Sequence, residues 1–332
     1  DGRWSKAKPL GGKVNTNFNE GAQNISQDGQ LLVFTGCNYP EGEGSCDLYF
    51  SIKTNTGWSE PQNLGPVVNT DFWESSPSLS PDKRDLYFAS SRAGGFGGRD
   101  IWVTHRMPNG KWSRPQNLGE SVNTSGDESC PFIHADNETL YFNSNGHTGY
   151  GMTDLFFSKK INDSIWAPAE NLGYPINNID DQGSLIVAAD GKTAYYASDG
   201  ADTRGGLDIY SFQLRDDIRP LKTLWVKGKV YDKKTNAGLP SSVELTNVKT
   251  DRIVSKIQTD EDGNYLITLP VGNDYAFNVN RRGYLFYSDN FSITPNTDSV
   301  FIVNIALQPI EKGASIVLKN IFFETGKLDL QN

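Results

Sequence analysis

Proton transfer and zinc binding near neutral pH fall most often to histidine, and the 332-residue chain holds three, His105, His134 and His147. None stands at a metal-ligand or triad spacing. His105 follows the apolar run Ile101-Trp102-Val103-Thr104, His134 lies beside another such run, and His147 falls in a Gly-rich turn, so each is read as a surface or packing residue. The sequence has no G-x-S-x-G, P-loop, H-E-x-x-H or D-x-D-x-D-G pattern, and no catalytic residue, metal site or cofactor is expected. Asp260-Glu261-Asp262-Gly263 is an acidic turn with the composition to hold a cation weakly, and a structural hairpin is the stronger reading. One constellation remains. Glu20, Glu74 and Glu128 are 54 residues apart, with Asp181 one residue off that interval. Four carboxylates around one mouth would attract a cation or a basic partner segment. The competing reading has each accept hydrogen bonds from a neighbouring Asn-Thr turn.

The interval that spaces those carboxylates runs through the front two-thirds of the chain. Trp4, Trp58, Trp112 and Trp166 share it, as do Leu10, Leu64, Leu118 and Leu172, each followed by Gly. So do Asn15, Asn69, Asn123 and Asn177, and Asp28, Asp82, Asp136 and Asp190. Several columns in one register define a repeat. Within each unit the short aromatic and β-branched runs, such as Leu86-Tyr87-Phe88-Ala89 and Ala194-Tyr195-Tyr196-Ala197, are bounded by Gly, Asp, Asn and Pro and read as strands. Four short strands plus turns fill such a unit, which predicts an all-β fold: a four-bladed β-propeller, larger if a unit precedes Asp1. The Asp of Ser80-Pro81-Asp82 and its equivalents is assigned to the hairpin turn. An N-terminal Trp4-Ser5 strand lent to the last unit would close the ring and cover its edges.

The cysteines bear on compartment. Cys37 and Cys46 flank a loop where a hairpin sets them opposite each other, so a disulfide fits, and closing such a loop contributes about 2.5 to 3 kcal/mol. It would imply an oxidising compartment. Two reduced thiols are the alternative. Cys130, at the position of Ser76, is expected to be a buried free thiol.

Composition narrows the partners. Net charge is −9, which disfavours a nucleic-acid backbone, and no apolar run of eighteen residues exists to span a membrane as a helix. The chain opens on Asp without a basic and apolar leader, and it is read as a fragment of a longer protein.

These motifs resemble known families. Glu74-Ser75-Ser76-Pro77-Ser78-Leu79-Ser80-Pro81-Asp82, Leu86-Tyr87-Phe88-Ala89-Ser90 and Gly97-Gly98-Arg99-Asp100-Ile101-Trp102 resemble the WD-like propeller repeats of TolB and of periplasmic OmpA-family proteins, over residues 1–218. A linker is expected at residues 215–222. Beyond it, Val226-Lys227-Gly228-Lys229-Val230-Tyr231-Asp232, Thr259-Asp260-Glu261-Asp262-Gly263-Asn264-Tyr265 and Leu269-Pro270-Val271-Gly272 are similar to the carboxypeptidase regulatory-like domain, a β-sandwich expected over residues 222–309. Ile316-Val317-Leu318-Lys319-Asn320-Ile321-Phe322-Phe323 looks like the first strand of an OmpA-like peptidoglycan-binding domain, truncated within residues 313–332. The order resembles PorE-type components of the type IX secretion system and related OmpA-family envelope proteins. That resemblance implies a non-enzymatic, periplasmic, outer-membrane-associated scaffold. Its partners would be other envelope or secretion-system proteins, with peptidoglycan held only through the missing domain. A propeller that takes a peptide or glycan is the second reading, and a propeller hydrolase the third, disfavoured by the thin supply of catalytic side chains.

Overall fold

A computed structural model describes residues 5–179, 181–198, 203–204, 206, 208–297 and 300–313. Trp4 and the OmpA-like segment of residues 314–332 lie outside them. The described residues are nearly all β, with a single short 3-10 turn at Asp216–Ile218. The chain divides into two compact units, Asp1–Pro220 and Leu221–Asn332.

Each repeat folds into an antiparallel sheet. The first contains β1 (Asn19–Ile25), β2 (Leu31–Cys37), β3 (Cys46–Thr54), β4 (Gly57–Trp58) and β5 (Gln62–Asn63). The second contains β6 (Glu74–Leu79), β7 (Asp85–Ser90), β8 (Asp100–His105) and β9 (Gln116–Asn117). In the third are β10 (Glu128–Ile133), β11 (Thr139–Ser144), β12 (Asp154–Asn162), β13 (Ile165–Trp166) and β14 (Glu170–Asn171), and in the fourth β15 (Leu185–Val187), β16 (Thr193–Ser198) and β17 (Asp208–Gln213). We call these sheets blades one to four.

The repeated columns have identifiable structural tasks. The leucine–glycine pair starts the turn into the next blade: Leu172 is buried, and Gly65, Gly119 and Gly173 take φ of 83°, 84° and 74°, a region open to glycine without steric cost. Asn69 then locks that turn to the preceding blade by accepting from the Leu48 amide at 2.9 Å and donating to the Leu48 carbonyl at 3.0 Å. Asn123 does the same to Ile101, and Asn177 to Leu155. In every case a side-chain amide supplies a strand's missing pairing partner. A bulge interrupts the first strand of blades one to three, where Ala22, Ser76 and Cys130 adopt φ of 45°, 55° and 50°. Cys130 is half-buried rather than buried, and its Sγ lies 3.8 Å from Ser76 Oγ of the neighbouring blade. Burial pushes its thiol pKa up.

Of the expected ring-closing strand, Trp4 lies outside the described residues, and among the described ones no N-terminal strand pairs with blade four. Residues 5–10 carry no strand, and the following segment pairs with blade one itself, Trp58 donating to Gly11 O and Lys13 to Trp58 O. Among the described residues β17 pairs only with β16.

In the second unit, β18 (Thr223–Asp232), β19 (Ser242–Asn247), β20 (Arg252–Gln258), β21 (Asn264–Pro270), β22 (Asn273–Asn280), β23 (Tyr287–Ile293), β24 (Phe301–Ile302) and β25 (Ile305–Leu307) form two four-stranded sheets. β18 holds β21 on one side and β24 and β25, in parallel, on the other; the second sheet runs β20-β19-β22-β23. Alternate residues of β18 and β22, among them Val226, Val230, Tyr275, Phe277 and Val279, enter one apolar core contributed by both sheets. Each such side chain contributes about 1.5 to 3 kcal/mol by leaving water, so the two sheets are held as layers.

Candidate interaction face

The carboxylate column resolves into a hydrogen-bond device. Glu74 and Glu128 are 0% exposed. Glu74 accepts from Thr70 N at 2.8 Å, Thr70 Oγ1 at 2.7 Å and Ser90 Oγ at 2.7 Å, and lies 3.2 Å from the Arg92 guanidinium. Glu128 accepts from Thr124 N, Thr124 Oγ1 and Ser144 Oγ. Glu20 takes the Thr16 amide and hydroxyl, with the Tyr39 hydroxyl at 2.8 Å. Glu74 and Glu128, sealed and saturated in this way, offer no mouth to a cation or basic segment, while Glu20 is half-buried and held by the same turn. The fourth member of the column is Gln182, not Asp181. Gln182 is buried and its amide donates to Asn178 Oδ1 at 3.1 Å, in the place where Glu128 meets Thr124, while Asp181 is exposed. With Asn in place of Thr in the turn, an amide meets an amide and the negative charge is dispensed with.

The histidines are likewise spoken for. His134 is buried; its Nδ1 accepts from Asp136 N at 3.1 Å and its Nε2 donates to Ala188 O at 3.1 Å, which ties the turns of blades three and four. That pattern requires the neutral ring with its proton on Nε2. His147 donates from Nε2 to Val122 O at 2.8 Å and packs 5.0 Å from the Phe156 ring. Its counterpart in blade two is Arg92, which donates to the equivalent Val68 O and lies 4.9 Å from Phe88 and 5.3 Å from Trp102. In blade one Tyr39 fills the slot, 4.6 Å from Tyr49. His105 pairs through Nδ1 with Asp85 at 2.8 Å. The acidic turn closes on itself, Asp260 accepting from the Asn264 amide and side chain. Among the described residues no three His, Cys, Asp or Glu side chains cluster as metal ligands, and no helix is long and apolar enough to cross a membrane. Cys37 and Cys46, paired across β2 and β3, form a disulfide.

What the blades present outward is a row of loops. The β2–β3 connection and its equivalents are each anchored by a carboxylate at the start of the next strand. Asp47 accepts from the amides of Glu43 and Gly44, Asp100 from Phe96 at 2.6 Å and Gly97 at 3.2 Å, Asp154 from Tyr150, and Asp208 from Arg204 at 2.9 Å. A carboxylate satisfied by main-chain donors fixes the loop's shape. Each of the first three loops then abuts the start of the following blade: Gly44 lies so close to the Phe72 and Thr70 carbonyls that a Cβ would sit 2.0 Å from the first, Gly98 N donates to Gly126 O, and Gln182 N to Thr153 O. Loops and strand starts thus form a continuous rim. Along it Phe18, Phe72, Phe96 and Tyr150 keep 45–56% of their surface exposed, and Met152 77%. Phe72 repeats Phe18 and Tyr150 repeats Phe96 at the 54-residue interval, a periodicity masked in the sequence by the Gly, Asp and Arg that stand in other copies.

No protein-family model matches the chain, and no curated protein matches it. Among solved structures, it is similar to a protein assigned to TolB from Agrobacterium tumefaciens, at 14% identity and a TM-score of 0.38 over 75% of this chain and 73% of that one. It is also similar to an α-L-arabinofuranosidase from Lactobacillus brevis (13%, TM-score 0.39, 59% and 72%) and to puromycin hydrolase (10%, TM-score 0.37, 88% and 40%). The described residues form a repeat-built, nearly all-β protein.

Proposed function

We infer that this protein is a non-enzymatic protein-interaction module of the bacterial envelope, in which the blades belong to a propeller and its loop rim docks partner proteins. The rim carries the reading. Exposed aromatic and methionine side chains on loops pinned by buried carboxylates combine contact area with low ordering cost, the composition and rigidity of interface hot spots. The Cys37–Cys46 disulfide supports an oxidising compartment such as the periplasm. In this reading the second unit is a regulatory-like spacer, and an OmpA-like domain that begins in residues 313–332 ties the assembly to peptidoglycan. The partners are then outer-membrane or secretion-system proteins.

The test is affinity capture from detergent-solubilised bacterial envelopes with the wild-type chain and with the quadruple variant Phe72→Ser, Phe96→Ser, Tyr150→Ser, Met152→Ser. Wild type is expected to recover outer-membrane or secretion-system proteins, and the variant to lose them while its circular dichroism is unchanged. Equal recovery by both would sink the rim as the docking face. Glycan-array binding by wild type that the rim variant loses, with no protein recovered, would favour a glycan-binding propeller, since exposed Phe and Tyr also stack on sugars.

A further inference from the structure

The seam between blades one and two forms an open cleft of about 580 Å³, and the seam between blades two and three shows how such a space is closed. In the second seam the buried Tyr87 ring meets Trp166 edge-on at 5.9 Å, and the cross-strand pair Asp85–His105 seals the outer edge at 2.8 Å. Lys160 completes it, 3.9 Å from Asp85 and 5.3 Å from the Trp166 ring.

At the equivalent places the first seam has Val33 for Tyr87, and the cross-strand pair Leu31–Ile52 for Asp85–His105. The missing ring leaves Trp112 half-buried where Trp166 is buried. Arg106 occupies the position of Lys160, but with Leu31 in place of Asp85 it has no carboxylate to meet. Among the described residues neither Arg106 nor the nearby Lys111 makes an ion pair, although the chain as a whole carries a net charge of −9. The third cation at the cleft, Lys83, is neutralised by Asp28.

The first seam therefore lacks an apolar ring and a carboxylate, while its basic side chain is in place. We propose that it binds a small monocarboxylic acid with an aryl or medium-length alkyl body, the body filling the space that Tyr87 takes in the second seam and the carboxylate meeting Arg106 and Lys111. The volume falls within the ordinary range for small-molecule sites, and an apolar cavity with a few convergent polar groups is their usual make-up.

Isothermal titration with decanoate and 4-phenylbutyrate, and with decanol as the uncharged match, tests this on the full chain. Wild type is expected to bind both acids and to bind decanol at least ten-fold more weakly. Arg106→Met should weaken decanoate about ten-fold and leave decanol unchanged. Val33→Tyr, which installs the second seam's ring, should abolish binding. Leu31→Asp supplies an internal partner for Arg106 and should abolish it independently, so that the proposal stays exposed if one variant fails to fold. Failure of wild type to bind either acid, equal binding of decanol, or full binding by a folded Val33→Tyr or Leu31→Asp would each overturn it.

Discussion

Blades one and two share a strand plan and differ in how they are finished. Blade one is aliphatic at its outer seam, carries a disulfide across its loop-bearing hairpin and seats Tyr39 over its ring pair. Blade two closes its seam with Tyr87, Asp85 and His105, has no cysteine, and seats Arg92 over the corresponding rings, neutralised by Glu74. Strand pairing is thus insensitive to these choices. They act on the spaces between blades, where a residue is judged by its fit to the next repeat and not by its own strand.

The largest effect expected from this contrast is at Tyr87. Tyr87→Ala should cost about 3 to 5 kcal/mol by denaturant unfolding, because it removes a wholly buried ring and the surroundings relax only in part. A loss under about 1 kcal/mol would mean that the two seams are alike after all. Next is the covalent difference: reduction, or Cys37→Ser with Cys46→Ser, should lower stability by about 2.5 to 3 kcal/mol through the freed loop, with no counterpart in blade two. An unchanged midpoint on reduction would show that the ladder alone holds that hairpin.

The smallest effect concerns the edge pair. Burial opposes the charge on Asp85, but the His105 hydrogen bond and Lys160 outweigh it and hold its pKa below the usual carboxylate value of about 3.9. A carboxylate depressed in the folded state contributes stability above its unfolded pKa and loses it as pH falls through the folded one. Asp85→Asn should accordingly cost on the order of 1 kcal/mol at neutral pH, the site being partly exposed, and the gap to wild type should close below about pH 4. A gap that stays constant down to pH 2 would refute the charge assignment.

Much of this architecture was legible in the chain. The 54-residue columns marked the turns, and the runs around Tyr87 and Tyr195 marked strands, because an exact repeat forces equivalent residues into equivalent roles. Asp181 shows the limit of that rule: it is the acid nearest the interval, but the backbone places Gln182 on it, and an amide satisfies the turn equally well. The rim is not legible in the sequence, because Phe72 and Tyr150 each have a single aromatic counterpart, Phe18 and Phe96, and exposure is not written in residue type. The slot shared by Tyr39, Arg92 and His147 is not legible either, since Arg92 and His147 are not at the repeat interval and share no chemistry beyond a polar group and a flat or delocalised surface.

By itself, then, the sequence determined the strands, the turns and their periodic order, which depend on local conformational preference and a pattern that is read along one dimension. Only the tertiary structure decided which repeat position was sealed, which was left open and which side chain filled each space between blades. Those outcomes depend on volumes and unpaired charges contributed by residues some fifty positions apart, and they exist only once the sheets are packed.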